Sequence, residues 1–462
     1  MKGKKKKELN SIVLLFCIIV GAFILCQIVP AGAYERTEIN GRMAVVADSF
    51  HLTESQKLNI FDVFLAIPSG MANATQMIVG MFLIGGAMAC IQESGAINIG
   101  ISRVIKKMGY QRGNWILVFL FYMFALLGGF LGFIEGSFPF IPLAISIAIG
   151  LGYDPIVGVG VALIGAISGF SCGPMNPFTV GVSQTLAGLP MYSGIWLRIV
   201  IFAIMPLICL LYILRYAKRI KENPEKSLVH GVDVSDIAFK TSEFETLPFT
   251  ARHAVILLSL VVGIGFYLYG SLNWGWSFVQ LGAVFIILAI LAGIISGADV
   301  NDIADTFVKG ASGMTGAAIM MGAAYGVAYL LQNASVLDTI VYYLSKPISG
   351  LPTFASAIGI LVVIALINML IPSASGKALI VMPIILPIAQ VVGIESQVAI
   401  LAYQLGDGIT NLCTPIGGLM LFALSFGHVP FAKWEKFILP LIIVMLVIAA
   451  VTISFAIAIG YC

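Results

Sequence analysis

Gly173-Pro-Met-Asn176-Pro-Phe-Thr179 and Gly408-Ile-Thr-Asn411-Leu-Cys-Thr414 share one spacing, Gly-x-x-Asn-x-x-Thr, and each interrupts a long apolar stretch. Polar backbone inside hydrocarbon is tolerated only where it lines a cavity or is buried in protein. Paired interruptions at matching places in two halves of a chain are a strong sequence pointer to a transporter's binding site. The two stretches therefore predict a secondary transporter.

Composition points the same way. Of 462 residues 60% are hydrophobic and only 10% charged, against roughly 25% charged in a soluble domain. A bilayer core needs about 20 apolar residues per helix, and runs of that kind recur from Ser11 to Cys462. Lys2 and Lys4 to Lys7 precede the first run with no small-residue cleavage site behind it, so that run reads as a retained helix. The seven cysteines lie almost all in apolar runs, with no spacing for a disulfide framework or zinc, and no metal or cofactor is expected. The net charge of +3 sits in loops and reports orientation, not a nucleic-acid partner.

The repeat extends beyond the motif. LNIFDVFLAIPSGM (Leu58 to Met71) aligns with NDIADTFVKGASGM (Asn301 to Met314), matching Asp62 with Asp305 and Phe64 with Phe307. FIEGSFPFIPLAI aligns with PSASGKALIVMPII, and Pro190 and Pro430 stand at equivalent places behind the two motifs. The chain divides into a first repeat over 1–216, a cytoplasmic linker and connecting transmembrane helix over 217–272, and a second repeat over 273–462. With the N-terminal lysines in the cytoplasm, the clusters Arg103/Lys106/Lys107/Arg112, Arg215/Lys218/Arg219/Lys221 and Lys433/Lys436 also fall inside. The connecting helix adds one crossing, so the second half enters the membrane with opposite polarity. The expected fold is an all-α polytopic membrane protein built as an inverted repeat, the plan of alternating-access carriers.

Each repeat contains a hairpin (114–152; 353–393) and a helix broken by the motif (155–188; 396–427). The hairpin tips read Glu135-Gly136-Ser137 and Ser373-Ala374-Ser375-Gly376-Lys377, and the return arms carry Pro139 and Pro142, then Pro383 and Pro387. Read as about 15 residues each, these arms fall short of a span, which predicts re-entrant hairpins. Two full spans per hairpin, with Glu135 and Lys377 in water, keep the same crossing parity and remain an alternative. A re-entrant tip starts a half-helix near the bilayer centre, with free N–H groups and the positive dipole end turned to the cavity. That is a ready carboxylate site. Ser137, Ser373, Ser375, Asn176, Asn411, Thr179 and Thr414 surround it with neutral donors and acceptors. Each Ser or Thr taken singly also reads as a local bond to a helix carbonyl.

Glu135, Lys377 and Asp407 are ionisable residues inside apolar sequence. At no less than about 2.5–3.5 kcal/mol each, such residues are functional candidates by default. The other reading is a structural ion pair of Lys377 with Asp407 or Glu135. Two carboxylates against one ammonium leave a net negative charge, which suits a cationic amino acid: carboxylate at a half-helix N-terminus, amines at Glu135 and Asp407. A dicarboxylate would need sodium ions or protons alongside. Asp154 and Glu395 match between halves and read as helix caps.

Gly169 to Gly173 (GFSCG) matches a nucleophile elbow, but the histidines 51, 230, 253 and 428 fall in loops or at helix ends, and an enzyme is not expected. Gly128/Gly132, Gly165/Gly169 and Gly322/Gly326 read as close helix contacts. A channel also uses re-entrant loops, yet antiparallel halves with unlike tips favour a carrier.

GPMNPFTVG, IPSASGKA and GDGITNLCTPIGG together resemble the YfcC branch of the C4-dicarboxylate anaerobic carrier family, over essentially the whole chain. The resemblance implies membership of the ion transporter superfamily, a homodimer, and a scaffold domain beside an elevator-type transport domain. It also implies basic amino acids as substrates, including arginine/ornithine exchange. Carried over, the site comprises Glu135, Gly136, Ser137, Asn176, Thr179, Ser373, Ser375, Gly376, Lys377, Asp407, Asn411 and Thr414. The related divalent-anion symporters carry Ser-Asn-Thr at their tips; this chain does not, so their sodium chemistry does not transfer. A tip lysine could stand in for a bound cation. The expected protein is a bacterial inner-membrane antiporter of basic amino acids, N-terminus cytoplasmic, with a C4-dicarboxylate carrier coupled to sodium or protons as the alternative.

Overall fold

The computed structural model describes residues 11–39, 42–46, 48–54, 57–97, 99–100, 103, 113–132, 134, 137–138, 140–234, 237, 248–274, 276, 278–371 and 373–462. The uncharged apolar run α1 (Ser11–Ile28) leads into four short strands: β1 (Gly32–Ala33), β2 (Arg36–Ile39), β3 (Arg42–Val45) and β4 (His51–Leu52). Next come α2 (Ile60–Asn73), α3 (Thr75–Glu93), α4 (Gly113–Leu131), α5 (Phe140–Gly150) and α6 (Pro155–Cys172). Past a break follow α7 (Val182–Leu186) and α8 (Ile195–Glu222), and α9 (Ala251–Trp274) leads into the second half. There lie α10 (Phe278–Ser296), α11 (Val300–Ser312), α12 (Thr315–Asn333), α13 (Leu337–Ser345), α14 (Thr353–Asn368) and α15 (Ala374–Val391). Then come α16 (Ser396–Thr410), α17 (Gly418–Phe426) and α18 (Phe431–Ala458). Among the described residues six segments are long and apolar enough to cross a membrane, or seven if α11 and α12, bent by 40°, count as one. The chain is an integral membrane protein.

The strands depart from the all-α expectation. β1 pairs with β4 and β2 with β3, both antiparallel. Residues 32–52 are too polar for a span, and Asp338 on α13 fixes them. Its carboxylate accepts the Tyr34 N–H at 3.1 Å and Arg36 Nη2 at 3.0 and 3.1 Å. β3 lies against α15.

The packing is reciprocal. α2 packs on α12 while α3 packs on α11; α1 packs on α12 while α10 packs on α3. α4 packs on α6 as α14 packs on α16, and α6 meets α16 directly. Every residue of α6 is buried, as is every residue of α16 from Gln397 to Thr410. Both helices are accordingly enclosed on every face; α6 is almost wholly apolar, whereas α16 carries Gln397, Gln404 and Asp407 inside the protein, and small residues stand where backbones touch. A Cβ on Gly169 would stand 2.0 Å from the Ala125 carbonyl, one on Gly128 2.1 Å from that of Ala166, and one on Gly326 2.5 Å from that of Ala66. The three Gly-x-x-x-Gly spacings thus lie at helix contacts.

Local signals resolve unevenly. Asp154 caps α6, accepting the Val157 N–H at 3.1 Å, and also accepts the hydroxyls of Tyr216 and Ser227 at 2.6 Å. Glu395 holds the matching place before α16 but makes no cap bond. α8 runs to Glu222, past the boundary placed at 216. The return arms differ from their expected length of about 15 residues: α5 has 11 and α15 has 18. At 1.5 Å per residue α5 is roughly 16 Å long, about half a hydrocarbon core. Pro142 sits in the first turn of α5, where no intrahelical N–H is owed, whereas Pro383 and Pro387 lie inside α15 without ending it.

Gly169→Val should cost at least about 3 kcal/mol, because the obstructing atom is backbone and cannot rotate away. The check is thermal unfolding and monodispersity of the purified variant in detergent.

Candidate functional site

The site is built where α14 ends, α15 begins and α16 breaks. Ser373 caps α15, its Oγ accepting the Gly376 N–H at 3.2 Å, and the Tyr403 hydroxyl of α16 donates to the Ala374 carbonyl at 2.5 Å. One turn into α15, Lys377 is completely buried and forms an ion pair with Asp407 of α16. The Lys377 ammonium also donates to Asn368 Oδ1 at the end of α14 and lies 3.5 Å from the Ile371 carbonyl. Asn368 turns its Nδ2 to the break, where it meets the Asp407 carbonyl at 3.0 Å, Thr410 Oγ1 at 2.9 Å and Asn411 Oδ1 at 3.0 Å. One asparagine thus joins the hairpin, the ammonium and the broken helix. Buried charge demands such partners, since an unpaired ion in a low dielectric is strongly disfavoured.

Beside this centre lies a cavity of about 340 Å³. Ser373, Ser375, Asn411 and Thr414 line it, and the buried Thr414 Oγ1 has no hydrogen-bond partner among the described residues. The rest of the lining is largely apolar and aromatic, with Phe138, Phe170, Phe178, Tyr325 and Met77 among it. Second-half residues therefore supply the polar groups, and α3, α12 and the first hairpin and break supply much of the rest.

The first break works differently. Asn176 accepts the N–H groups of Phe178 at 3.0 Å and Thr179 at 3.3 Å and donates to the Phe170 carbonyl at 3.1 Å. Pro177 stands at the first position of the segment that follows, and the Asn176 side chain caps that segment. Asn176 and Thr179 are buried and are not among the residues that line the cavity, although Thr179 Oγ1 has no hydrogen-bond partner among the described residues. Ser137 is buried at the first tip. Glu135 and Gly136 lie outside the described residues. Asp407 is already matched by Lys377, which is the ion-pair alternative and not the free cation-holder of the leading expectation.

The family's sequence profile, described as the C4-dicarboxylate anaerobic carrier (DcuC), matches residues 10–458. The chain belongs to that family. It is 30% identical to YfcC of Escherichia coli, a protein provisionally named a basic amino acid antiporter, over 98% of this chain and 97% of YfcC. It is 28% identical to an uncharacterized protein of Haemophilus influenzae, over 97% of each. Two solved transporters share its arrangement only loosely, each at a TM-score of 0.42. They are YdaH of Alcanivorax borkumensis, 16% identical with 98% and 99% of the chains covered, and MtrF of Neisseria gonorrhoeae, 17% identical with 97% and 95% covered.

Three buried residues of the carrier escaped the sequence reading. Asn368 ends an apolar run nine positions before Lys377, and a polar residue at a hairpin turn was the available signal. Arg198 stands in the apolar run of α8 and is completely buried. Adding it to Glu135, Asp407 and Lys377 brings the net charge from minus one to zero, so the charge count no longer selects a cationic substrate. Trp434 of α18 donates Nε1–H to the Leu412 carbonyl in the second break at 2.9 Å, a contact no local pattern announces.

Lys377→Met or Asp407→Leu alone should cost about 3–5 kcal/mol by stranding the other charge. The double variant should cost clearly less than the sum. Denaturation of the three variants in detergent closes the cycle; additive losses would mean the pair is uncoupled.

Proposed function

We propose that the carrier exchanges basic amino acids, arginine against ornithine, by alternating access. The cavity carries this reading. A carboxylate fits at the start of α15, among Ser373, Ser375, Asn411 and the unpartnered Thr414 hydroxyl. The aliphatic arm of the substrate lies along Phe138, Phe170, Phe178 and Met77. Its cation faces aromatic rings, which attract it electrostatically, and is met by Glu135 at the first tip. YfcC, named for basic amino acid antiport, lends the same substrate class. Lys377, held among oxygens of Asp407, Asn368 and Ile371, is the resident cation of the site. That suits exchange without sodium.

The reciprocal packing of α1–α3 with α10–α12, and of α4 and α6 with α14 and α16, supports an inverted repeat. The short α5 supports a re-entrant first hairpin. In this reading the hairpins and broken helices move against a scaffold of α1–α3 and α10–α12, in a homodimer of the bacterial inner membrane with a cytoplasmic N-terminus. A C4-dicarboxylate substrate is the second reading. The family description suggests it.

In liposomes preloaded with ornithine, labelled arginine should enter without sodium, and succinate should not exchange for succinate. Glu135→Gln should lower arginine uptake at least tenfold; uptake within twofold of wild type would remove Glu135 from the site. Succinate exchange without arginine uptake would establish the second reading. Sodium-dependent transport that survives Lys377→Ala would overturn the resident-cation role.

A further inference from the structure

Arg198, near the start of α8, is completely buried, yet among the described residues its hydrogen bonds go to neutral acceptors, and its other neighbour is the Tyr461 ring, 5.9 Å from the guanidinium carbon. Nε donates to Gln404 Oε1 at 3.2 Å, Nη1 to the Ser193 carbonyl at 3.0 Å and Nη2 to Gln397 Oε1 at 3.1 Å. A guanidinium can only donate, so it fixes which way the Gln404 amide points. Gln404 must then present Nε2–H on its other side, where it donates to the Gly173 carbonyl at 2.7 Å. Gly173 is the residue at which α6 ends and the first break opens.

We infer that Arg198 is a positioning residue for transport, acting through Gln404 on the first break. Its charge stands one side chain away from the carbonyl end of α6, where a cation is favoured. Gln404 lies one turn before Asp407 on α16, so the same clasp registers the first break against the Lys377–Asp407 centre. Phe170 and Phe178 flank the break and line the cavity. An amide free to flip would turn oxygen toward the Gly173 carbonyl, push the break away and move that wall. A purely structural bolt would hold helices together without setting the shape of the cavity.

The two roles separate in Gln404→Glu. The new carboxylate still accepts from Arg198, and now pairs its charge, but it has no N–H for Gly173. Thermal stability should match or exceed wild type, while KM for exchange in liposomes rises at least fivefold. Arg198→Gln should also raise KM. Wild-type KM in Gln404→Glu, or an Arg198→Gln variant that melts earlier with KM within twofold of wild type, would overturn the proposal. Should Arg198→Gln fail to fold, Gln404→Glu decides alone. The assay uses whichever solute the wild-type carrier exchanges, so failure of the arginine reading shows in the wild-type measurement and leaves this test intact.

Discussion

An ammonium ion with no access to water must be given oxygens, and much of the second half of this carrier is arranged to supply them to Lys377. The ion pair with Asp407 fixes α15 to α16, and Asn368 fixes both to the end of α14. The α16 helix can stop at Thr410 because Asn368 receives part of the polar load of the break, and Trp434 takes the Leu412 carbonyl. Removing the ammonium would leave a carboxylate, an amide oxygen and a carbonyl converging on nothing. The cavity sits beside this centre, so its polar wall is a by-product of the way a buried charge was satisfied.

The two breaks show that equal spacing does not mean equal chemistry. Asn176 precedes Pro177, which has no N–H, and its side chain bonds to the next two backbone donors instead. Asn411 is followed by Leu412 and ends an α-helix in ordinary helical geometry, so its side chain is left for Asn368 and the cavity. Asn176 caps the helix that follows it, whereas Asn411 closes the helix that precedes it. At the second tip Lys377 stands inside α15, behind a serine cap, and not at the turn itself.

These differences mark what could be read from the sequence. The recurrent apolar helices, the breaks at Gly173 and Asn411, and the glycine contacts were legible, because apolar runs, prolines and small residues act over a few positions. Of the candidate residues, Ser373, Ser375, Asn411 and Thr414 gather at one cavity. The strands at 32–52 were not legible, since they depend on Asp338, about three hundred positions away, and nothing local to Arg36 announces it. Asn368 and Arg198 were missed for a related reason. A lone polar residue in an apolar run shows its purpose only when the helix facing it is known.

A count of charges does not say which of them share a space. Summing Glu135, Asp407 and Lys377 treats every intramembrane charge as facing one space, whereas burial gives Lys377 and Asp407 to each other. Lys377 and Asp407 neutralise each other, and Arg198 is held by amides and a carbonyl. Substrate choice therefore follows from the shape and lining of the cavity rather than from a total. The lining combines hydroxyls and an amide from the second half with rings largely from the first half and α12. A lining of that kind gives a solute both hydrogen-bond partners and apolar contact, and neither depends on a net charge.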